Sequence, residues 1–347
     1  MRHVAVNTRA LSAPMTGVQR YTTELLARWD GRAERIAPNG SMHGLTGHAW
    51  EQFVLPGKLR GRLLFSPSNT GPLRAKNQVV TIHDTAVFDC PEGFNPRFAA
   101  WYQFLLPRLA RRARQVITVS QFVKERILAH TNVSPDKVVV IPNGVDSRFC
   151  PEAVSRVEEV IASLELPSRR YVLAVGSLEP RKNLARLFQA WDRIRELIPK
   201  DIWLVVAGAS GNSRVFGGQR LDALPFRVVL AAHVEEHLLP ALCAGAMAMA
   251  YPSIYEGFGL PPLEAMASGT PVLAGNRSSL PEVVGDAGVL VDVLDVDAIA
   301  AGIRCLIENS ALRDDLRRKG LDRAKQFSWD EMARRTWDVL QSAVAQN

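Results

Sequence analysis

Glu256 and Glu264 stand eight positions apart in the stretch Tyr251-Pro-Ser-Ile-Tyr-Glu256-Gly-Phe-Gly-Leu-Pro-Pro-Leu-Glu264-Ala-Met-Ala-Ser-Gly269. Two glycines and a Pro-Pro pair lie between them. Pro262 is well placed to open a helix, because proline tolerates the first helical position, and Gly269 is placed to end it. This puts Glu256 on a glycine loop and Glu264 in the first turn of the helix that follows. Gly257 and Gly259 let the backbone come close to a ligand, and the N–H groups at the helix start favour an anion. One carboxylate in that setting could grip sugar hydroxyls and the other a ribose. The plainer alternative is a strand–loop–helix turn with solvated glutamates.

Arg181 and Lys182 follow a strand, a glycine turn and Pro180, just before a helical segment starting near Asn183. Two cations beside a helix N-terminus make a diphosphate clamp, unless they are an ordinary solvated pair. His83 and Asp84 end a strand, where an open α/β sheet presents groups to its cleft; a capping role is the alternative. Gly17 sits at the first strand–helix turn, where backbone N–H groups could meet a phosphate or an acceptor. Val18, Tyr21, Leu25 and Trp29 form the buried stripe of the helix it opens. No G-x-G-x-x-G stands there, which argues against a nicotinamide-dependent oxidoreductase. His3, His43, His48, His130, His233 and His237 have no comparable context. His233 and His237 are four apart, with no third metal ligand evident.

Residues 97–114 read as a helix. Phe98, Trp101, Tyr102, Leu105, Leu106 and Leu109 recur at i, i+3, i+4, i+7, and Arg108, Arg111, Arg112 and Arg114 gather at its C-terminal end. Cations there suit the helix dipole. They would also give a foothold on anionic lipid, at about 1 kcal/mol per basic residue near the surface. Pro107 is a place for a kink.

These residues need a frame, and short apolar runs alternating with helical patterns supply one: a parallel sheet flanked by helices. In the first half the strands are expected at Val4–Val6, Leu63–Ser66, Val79–His83, Val116–Ser120 and Val138–Pro142. The second half begins again with Tyr171–Gly176 and continues with Trp203–Gly208, Val228–Ala232, Ala246–Tyr251, Val272–Ala274 and Val289–Asp292. Two doubly wound, Rossmann-like domains follow, with a boundary near 145–170 and a ligand cleft between them at the carboxyl ends of the strands. The last segment, Trp329–Ala345, is amphipathic, with Trp329, Met332, Thr336, Trp337 and Leu340 at helical spacing.

A chain of 347 residues is too long for one typical core. No run of about 18 apolar residues is present, and the N-terminus reads as a first strand rather than a signal peptide. Cys90, Cys150, Cys243 and Cys305 are scattered without metal-ligand spacing, which fits a reduced, cytoplasmic protein. Residues 1–165 carry 21 Lys+Arg and 14 Asp+Glu (21 − 14 = +7), and residues 166–347 carry 21 of each (0), which together make the +7 of the chain. The asymmetry points to an anionic partner for the first half: a membrane surface, a diphosphate-linked acceptor or nucleic acid. Nucleic acid is disfavoured, because the aromatics fall at core spacing instead of interleaving with the basic residues.

Glu256 and Glu264 match the E-x7-E motif, and with it the chain resembles the family 4 retaining glycosyltransferases of GT-B fold. Val175-Gly-Ser-Leu-Glu-Pro-Arg-Lys-Asn183, Val140-Ile-Pro-Asn-Gly-Val-Asp146, Thr81-Ile-His-Asp84 and Ser279-Leu-Pro-Glu-Val-Val-Gly-Asp-Ala-Gly288 extend the likeness over most of the chain. Thr16–Tyr21, Trp50-Glu-Gln-Phe-Val-Leu-Pro56 and Ser66-Pro-Ser-Asn-Thr-Gly-Pro72 look like bacterial polysaccharide and O-antigen mannosyl- and rhamnosyltransferases. The resemblance implies an acceptor-binding domain over 1–160, completed by a crossing helix at about 329–347, and a donor-binding domain over 166–326. It implies a hexose, best guess mannose from GDP-mannose, with a UDP-sugar as the alternative donor. It implies a glycan or polyprenyl-diphosphate-linked acceptor, no metal or other cofactor, and a peripheral position on the inner face of the plasma membrane. His83, Glu256, Arg181 and Lys182 would be catalytic. Donor contacts would come from Gly17, Ser177, Arg181, Lys182, Val234, Glu256, Gly257, Phe258, Gly259, Leu260 and Glu264, with Gly208 and Ala209 near the base. Many relatives carry Arg where this chain has Ser177, and Arg181 is the expected replacement. Arg108, Arg111 and Arg112 would face the membrane or acceptor.

Overall fold

The computed structural model describes residues 3–42, 44–208, 224–231 and 234–345. His43, Ala209, Ala232 and His233, all noted in the sequence, lie outside them. The chain forms two units. One comprises Met1–Asp89, Pro96–Gly144 and Ser328–Asn347; the other comprises Cys90–Asn95 and Val145–Phe327.

The first unit is built on six parallel strands: β1 (Val4–Asn7), β2 (Glu34–Ile36), β3 (Leu63–Ser66), β4 (Gln78–Ile82), β5 (Gln115–Thr118) and β6 (Val138–Val140), in the order β2-β1-β3-β4-β5-β6. β1, β3 and β4 are buried along their whole length, as strands covered by helices on both faces must be. That is why they read as continuous apolar runs. β2 was not expected from the sequence: it is a three-residue edge strand in which only Ile36 is buried.

Helix α1 (Gly17–Arg28) follows β1, with Tyr21 and Leu25 buried and Trp29 at its C-cap. Helix α2 (Pro96–Arg112) contains Pro107 and buries Leu105, Leu106 and Leu109. The final helix, Trp329–Ala345, belongs to this unit. It buries Met332, Thr336 and Leu340, and Trp29 of α1 donates its indole N–H to the Ala333 carbonyl at 3.1 Å.

The second unit repeats the plan with β7 (Arg170–Val175), β8 (Ile202–Ala207), β9 (Val228–Ala231), β10 (Ala248–Tyr251), β11 (Val272–Gly275) and β12 (Gly288–Val291), ordered β12-β11-β10-β7-β8-β9. Helix α3 (Leu184–Ile194) buries Leu187, Phe188, Trp191 and Ile194 against Leu204 and Val206 of β8 and Leu273 of β11, giving one continuous core.

In each sheet the strand order reverses once, between β1 and β3 in the first and between β7 and β10 in the second. Open α/β sheets bind ligands at the carboxyl edge beside such a switch point. The loops after β7 and β10 carry Arg181, Lys182 and Glu256, and those after β1 and β3 carry Arg9 and Thr70.

Candidate functional site

Beyond β7 the chain runs through Gly176 and Ser177 into a tight turn, Pro180–Lys182, which ends at Asn183 in the left-handed conformation (φ 61°). Asn tolerates that region better than most residues. Its side-chain amide holds the turn by donating to the carbonyls of Pro252 and Val293, at 3.1 and 2.7 Å. The loop after β10 docks on the same turn: the Ile254 N–H donates to the Arg181 carbonyl at 2.7 Å. Both switch-point loops are thus one structure, and they bring Arg181, Lys182 and Glu256 together.

Glu256 is the hub. Its Oε1 accepts from Lys182 Nζ at 2.7 Å, Tyr251 OH at 2.8 Å and Ser253 Oγ at 2.6 Å, and Arg181 Nη1 reaches Oε2 at 3.2 Å. Arg181 also donates from Nε to Glu179 Oε2 at 2.7 Å, and Ser177 donates to the other oxygen of Glu179. Two cations and two carboxylates share the site. Burial pushes the Glu256 carboxyl up, but Lys182, then Arg181, then the hydrogen bonds outweigh it and bring it down to about 2. The same burial draws the Lys182 ammonium below its ordinary value, against the pull of Glu256. Burial and then Glu256 lift the Tyr251 hydroxyl well above its usual range, so it remains a donor.

Backbone ties fix the Glu256 loop. Ser278 Oγ accepts from the Glu256 N–H at 3.1 Å, and Ser279 Oγ lies 2.9 and 2.8 Å from the carbonyls of Glu256 and Phe258. Gly259 then turns at φ 109° to cap helix α4 (Leu260–Ala267), and a Cβ there would meet Leu280 at 2.8 Å. Position 259 therefore requires glycine for its conformation and for space.

The helix begins two residues before Pro262, at Leu260, because Gly259 rather than a proline supplies the cap. Glu264 is consequently in the second turn, not the first, and is buried. Gly269, at φ 74°, follows the helix end as expected. Gly257 and Val234 are partly exposed. Gly208 leaves β8 at φ 79°, facing the Gly176 backbone.

Glu179, Tyr251 and Ser253 were not assigned roles from the sequence, although all three stand inside the motifs that drew attention to Arg181 and Glu256. The signal was their position: polar side chains two to five residues from a buried carboxylate or cation.

In the first unit Gly17 opens α1 and is exposed. His83 follows β4 and is 7% exposed, with the Tyr21 ring edge-on at 4.7 Å. Its Nε2 lies 2.7 Å from the Pro67 carbonyl, and its backbone N–H donates to Asn69 Oδ1 at 2.6 Å. A carbonyl only accepts, so Nε2 carries the proton. Burial lowers the His83 pKa, partly countered by the Pro67 bond and Asp84. The ring is held neutral with Nδ1 as an acceptor. A hydroxyl near Nδ1 would donate to it.

His48, set aside from the sequence, stands 3.7 Å from buried Glu51. Arg108, Arg111 and Arg112 are exposed at the end of α2, and each sends one guanidinium N–H to a backbone carbonyl: Phe104, Thr131 and Leu73 respectively. Arg108 also lies 3.8 Å over the ring of the exposed Phe104.

Residues 157–323 match the model described as glycosyl transferases group 1, and residues 61–149 match that of glycosyltransferase family 4. The chain is 35% identical over 276 residues to O-antigen chain mannosyltransferase B of Escherichia coli, covering 76% of this chain and 70% of that protein. It is 33% identical over 261 residues to MMP alpha-(1->4)-mannosyltransferase of Mycolicibacterium hassiacum, covering 72% of this chain and 60% of that one. Among solved structures, sucrose-phosphate synthase from Thermosynechococcus elongatus superposes with TM-score 0.77 at 20% identity over 99% of both chains. Anabaena HepE in complex with UDP and glucose superposes with TM-score 0.75 at 18% identity, covering 99% of this chain and 100% of that one. Two parallel six-stranded sheets with these matches make the chain a glycosyltransferase of GT-B fold, belonging to the group 1 and family 4 glycosyltransferases.

Proposed function

We propose that this glycosyltransferase moves mannose from GDP-mannose to a glycan or polyprenyl-diphosphate-linked acceptor in the synthesis of a bacterial surface polysaccharide, with retention at the anomeric carbon and without a metal ion. The convergence of Arg181 and Lys182 on Glu256 at the switch point of the second sheet carries this reading. The second unit would hold the donor and the first the acceptor.

In the transfer, the acceptor oxygen bonds to the anomeric carbon as the bond from that carbon to the diphosphate breaks. The acceptor's proton passes to a leaving phosphate oxygen on the same face of the sugar. Negative charge builds on the diphosphate, and two preorganised cations answer it. Arg181 and Lys182 do what a divalent ion does elsewhere. Glu256, with all its donors in place and its pKa near the bottom of the carboxylate range, is suited to accept from sugar hydroxyls and to hold the cations, and unsuited to be a nucleophile. Glu264, one turn inside α4, would take the ribose. Gly257, Phe258, Gly259 and Leu260 would line the donor's path.

A UDP-sugar is the alternative donor, favoured by the likeness to Anabaena HepE, whose structure contains UDP and glucose. Thermal-shift titration with GDP, UDP, dTDP and ADP, with NAD as a control, separates the two, since a ligand that binds the native state stabilises it by mass action. Stabilisation by GDP above the others supports the reading, and a response to NAD alone overturns it. Turnover that survives EDTA supports the cationic clamp. Turnover lost to EDTA and restored by Mg²⁺ or Mn²⁺ contradicts it.

Attachment to an anionic membrane surface through the first unit is part of the same reading. No helix among the described residues is long and apolar enough to cross a membrane. The Arg108, Arg111 and Arg112 charges are exposed beside Phe104, which is 44% exposed, so a basic and apolar patch is available to a bilayer interface.

A further inference from the structure

The Trp50-Glu-Gln motif lies outside the donor site, yet it holds one of the most thoroughly buried acids of the chain. Glu51 is 0% exposed and Trp50 7%. Both belong to a five-residue π-helical turn, Trp50–Val54, a rare form that recurs at functional sites. Burial raises the Glu51 carboxyl, but His48, Arg9 and Thr70 beside it bring it below its ordinary value. A buried ion is costly, and removing its partners costs more. One of its partners, Thr70, lies on the loop after β3.

Glu51 Oε1 accepts from Asn7 Nδ2, the last residue of β1, at 2.5 Å, and from Thr70 Oγ1 at 2.9 Å. Arg9 Nη2 donates to Thr70 at 3.2 Å and stands 3.6 Å from Glu51 Oε2. The neighbouring Gln52 grips the same loop further on. Its Nε2 donates to the Gly71 carbonyl and its Oε1 accepts from the Leu73 N–H, both at 2.9 Å. The loop has no slack: a Cβ on Gly71 would meet Gln78 Oε1 at 2.8 Å and Ser66 Oγ at 2.9 Å. Asn69 is left-handed at φ 60°. The Asn69 N–H ties the loop to β4 by donating to the Thr81 carbonyl at 3.1 Å, and just beyond the strand the Pro67 carbonyl and Asn69 Oδ1 both meet His83.

We infer that Glu51 and Gln52 are positioning residues that clamp the loop 67–73 so that its Pro67 carbonyl fixes His83 in the Nε2–H tautomer, with Nδ1 presented as an acceptor. The chain of contacts runs from the π-turn to the loop and from the loop to the ring, without touching the donor site. A loop displaced by about 1 Å would release the tautomer, and misplacement on that scale can cost about a hundredfold in rate. The inference rests on the proposed reading that His83 serves the transfer reaction.

The test is ¹⁵N-histidine NMR at neutral pH, with the His83 signals identified by their loss in His83→Gln, together with turnover and GDP affinity. Wild type is expected to show His83 as a single Nε2–H tautomer. Gln52→Ala and Glu51→Ala should give a tautomer mixture and a fall in kcat of about tenfold or more, with GDP affinity within about twofold of wild type. Glu51→Gln retains an acceptor for Asn7 and Thr70 and should restore both the tautomer and most of kcat. If Glu51→Ala fails to fold, Gln52→Ala carries the test, since Gln52 is only partly buried. Folded variants whose His83 tautomer is unchanged overturn the inference. If instead the tautomer shifts as expected while His83→Gln leaves turnover intact, the positioning stands and the catalytic reading of His83 falls.

Discussion

The two switch points solve the burial of a carboxylate differently. After β7 and β10, Glu256 is ringed by cations at 2.7 and 3.2 Å, and those cations keep 12% and 19% of their side chains in solvent. After β1 and β3, Glu51 is satisfied first by the neutral donors Asn7 and Thr70, while Arg9 and His48 stand off at 3.6 and 3.7 Å. Cations that are close to the acid and still reachable can share themselves with an incoming diphosphate. A fully buried acid whose hydrogen bonds come from the neutral Asn7 and Thr70 is a brace. Buried charge alone therefore does not mark a ligand site. What separates the two is the kind of partner and whether that partner can turn outward.

The largest expected effect falls on the cationic side. Lys182→Ala should all but abolish turnover and also destabilise the fold by about 3 kcal/mol, because breaking a buried pair leaves Glu256 poorly compensated. Steady-state kinetics and urea denaturation would measure the two effects. A variant that is inactive yet as stable as wild type would show that the Lys182–Glu256 pair adds nothing to the unliganded fold.

Next come the two carboxylates of the donor motif. Glu256→Gln should chiefly lower turnover, and Glu264→Gln should chiefly weaken GDP binding, by about tenfold where a charged hydrogen bond is lost. Affinity falling far more in Glu256→Gln than in Glu264→Gln, by calorimetry, would reverse the assignment.

Acid titration sharpens the contrast at a smaller scale. A carboxyl whose folded pKa is depressed contributes stability that is complete above its ordinary value and is lost as pH falls through the folded one. For Glu256 that window runs from the ordinary 4.5 down to about 2. Wild type should lose stability more steeply across this range than Glu256→Gln, as followed by melting temperature against pH. Equal slopes would mean that Glu256 is not held by its cations.

The smallest effect belongs to the surface. Changing Arg108, Arg111 and Arg112 together to Glu should end sedimentation with anionic vesicles, an interaction that salt already weakens, because the Debye length is about 8 Å at physiological strength. GDP affinity should not change. Wild-type protein that ignores anionic vesicles at low salt would remove the membrane from the proposal.

What could be read in the sequence was local. Among the described residues, eleven of the twelve strands stood out as apolar runs, since sheets covered on both faces need them. Glu34-Arg-Ile did not, being a short edge with a single buried residue. The glycines and prolines around Glu256 and Glu264 announced loop and helix, but not that Gly259 would take the cap, start the helix two residues earlier and put Glu264 in its second turn. Arg181 and Lys182 were legible as cations before a helix. Their pairing with Glu256 spans 74 and 75 residues and needed the fold. The brace at Glu51 was the hardest to foresee, because its partners Asn7 and Thr70 lie 44 and 19 residues away and neither is charged.

The central claim is that Arg181 and Lys182, held ready by Glu256, grip the donor's diphosphate. Isothermal titration of GDP into wild type, Arg181→Ala and Lys182→Ala, each checked for native fold, tests it most directly. The expected result is saturable GDP binding to wild type, weakened about tenfold or more in each variant, as the loss of a charged hydrogen bond of roughly 1.5–3 kcal/mol requires. Unchanged affinity in both folded variants would contradict it.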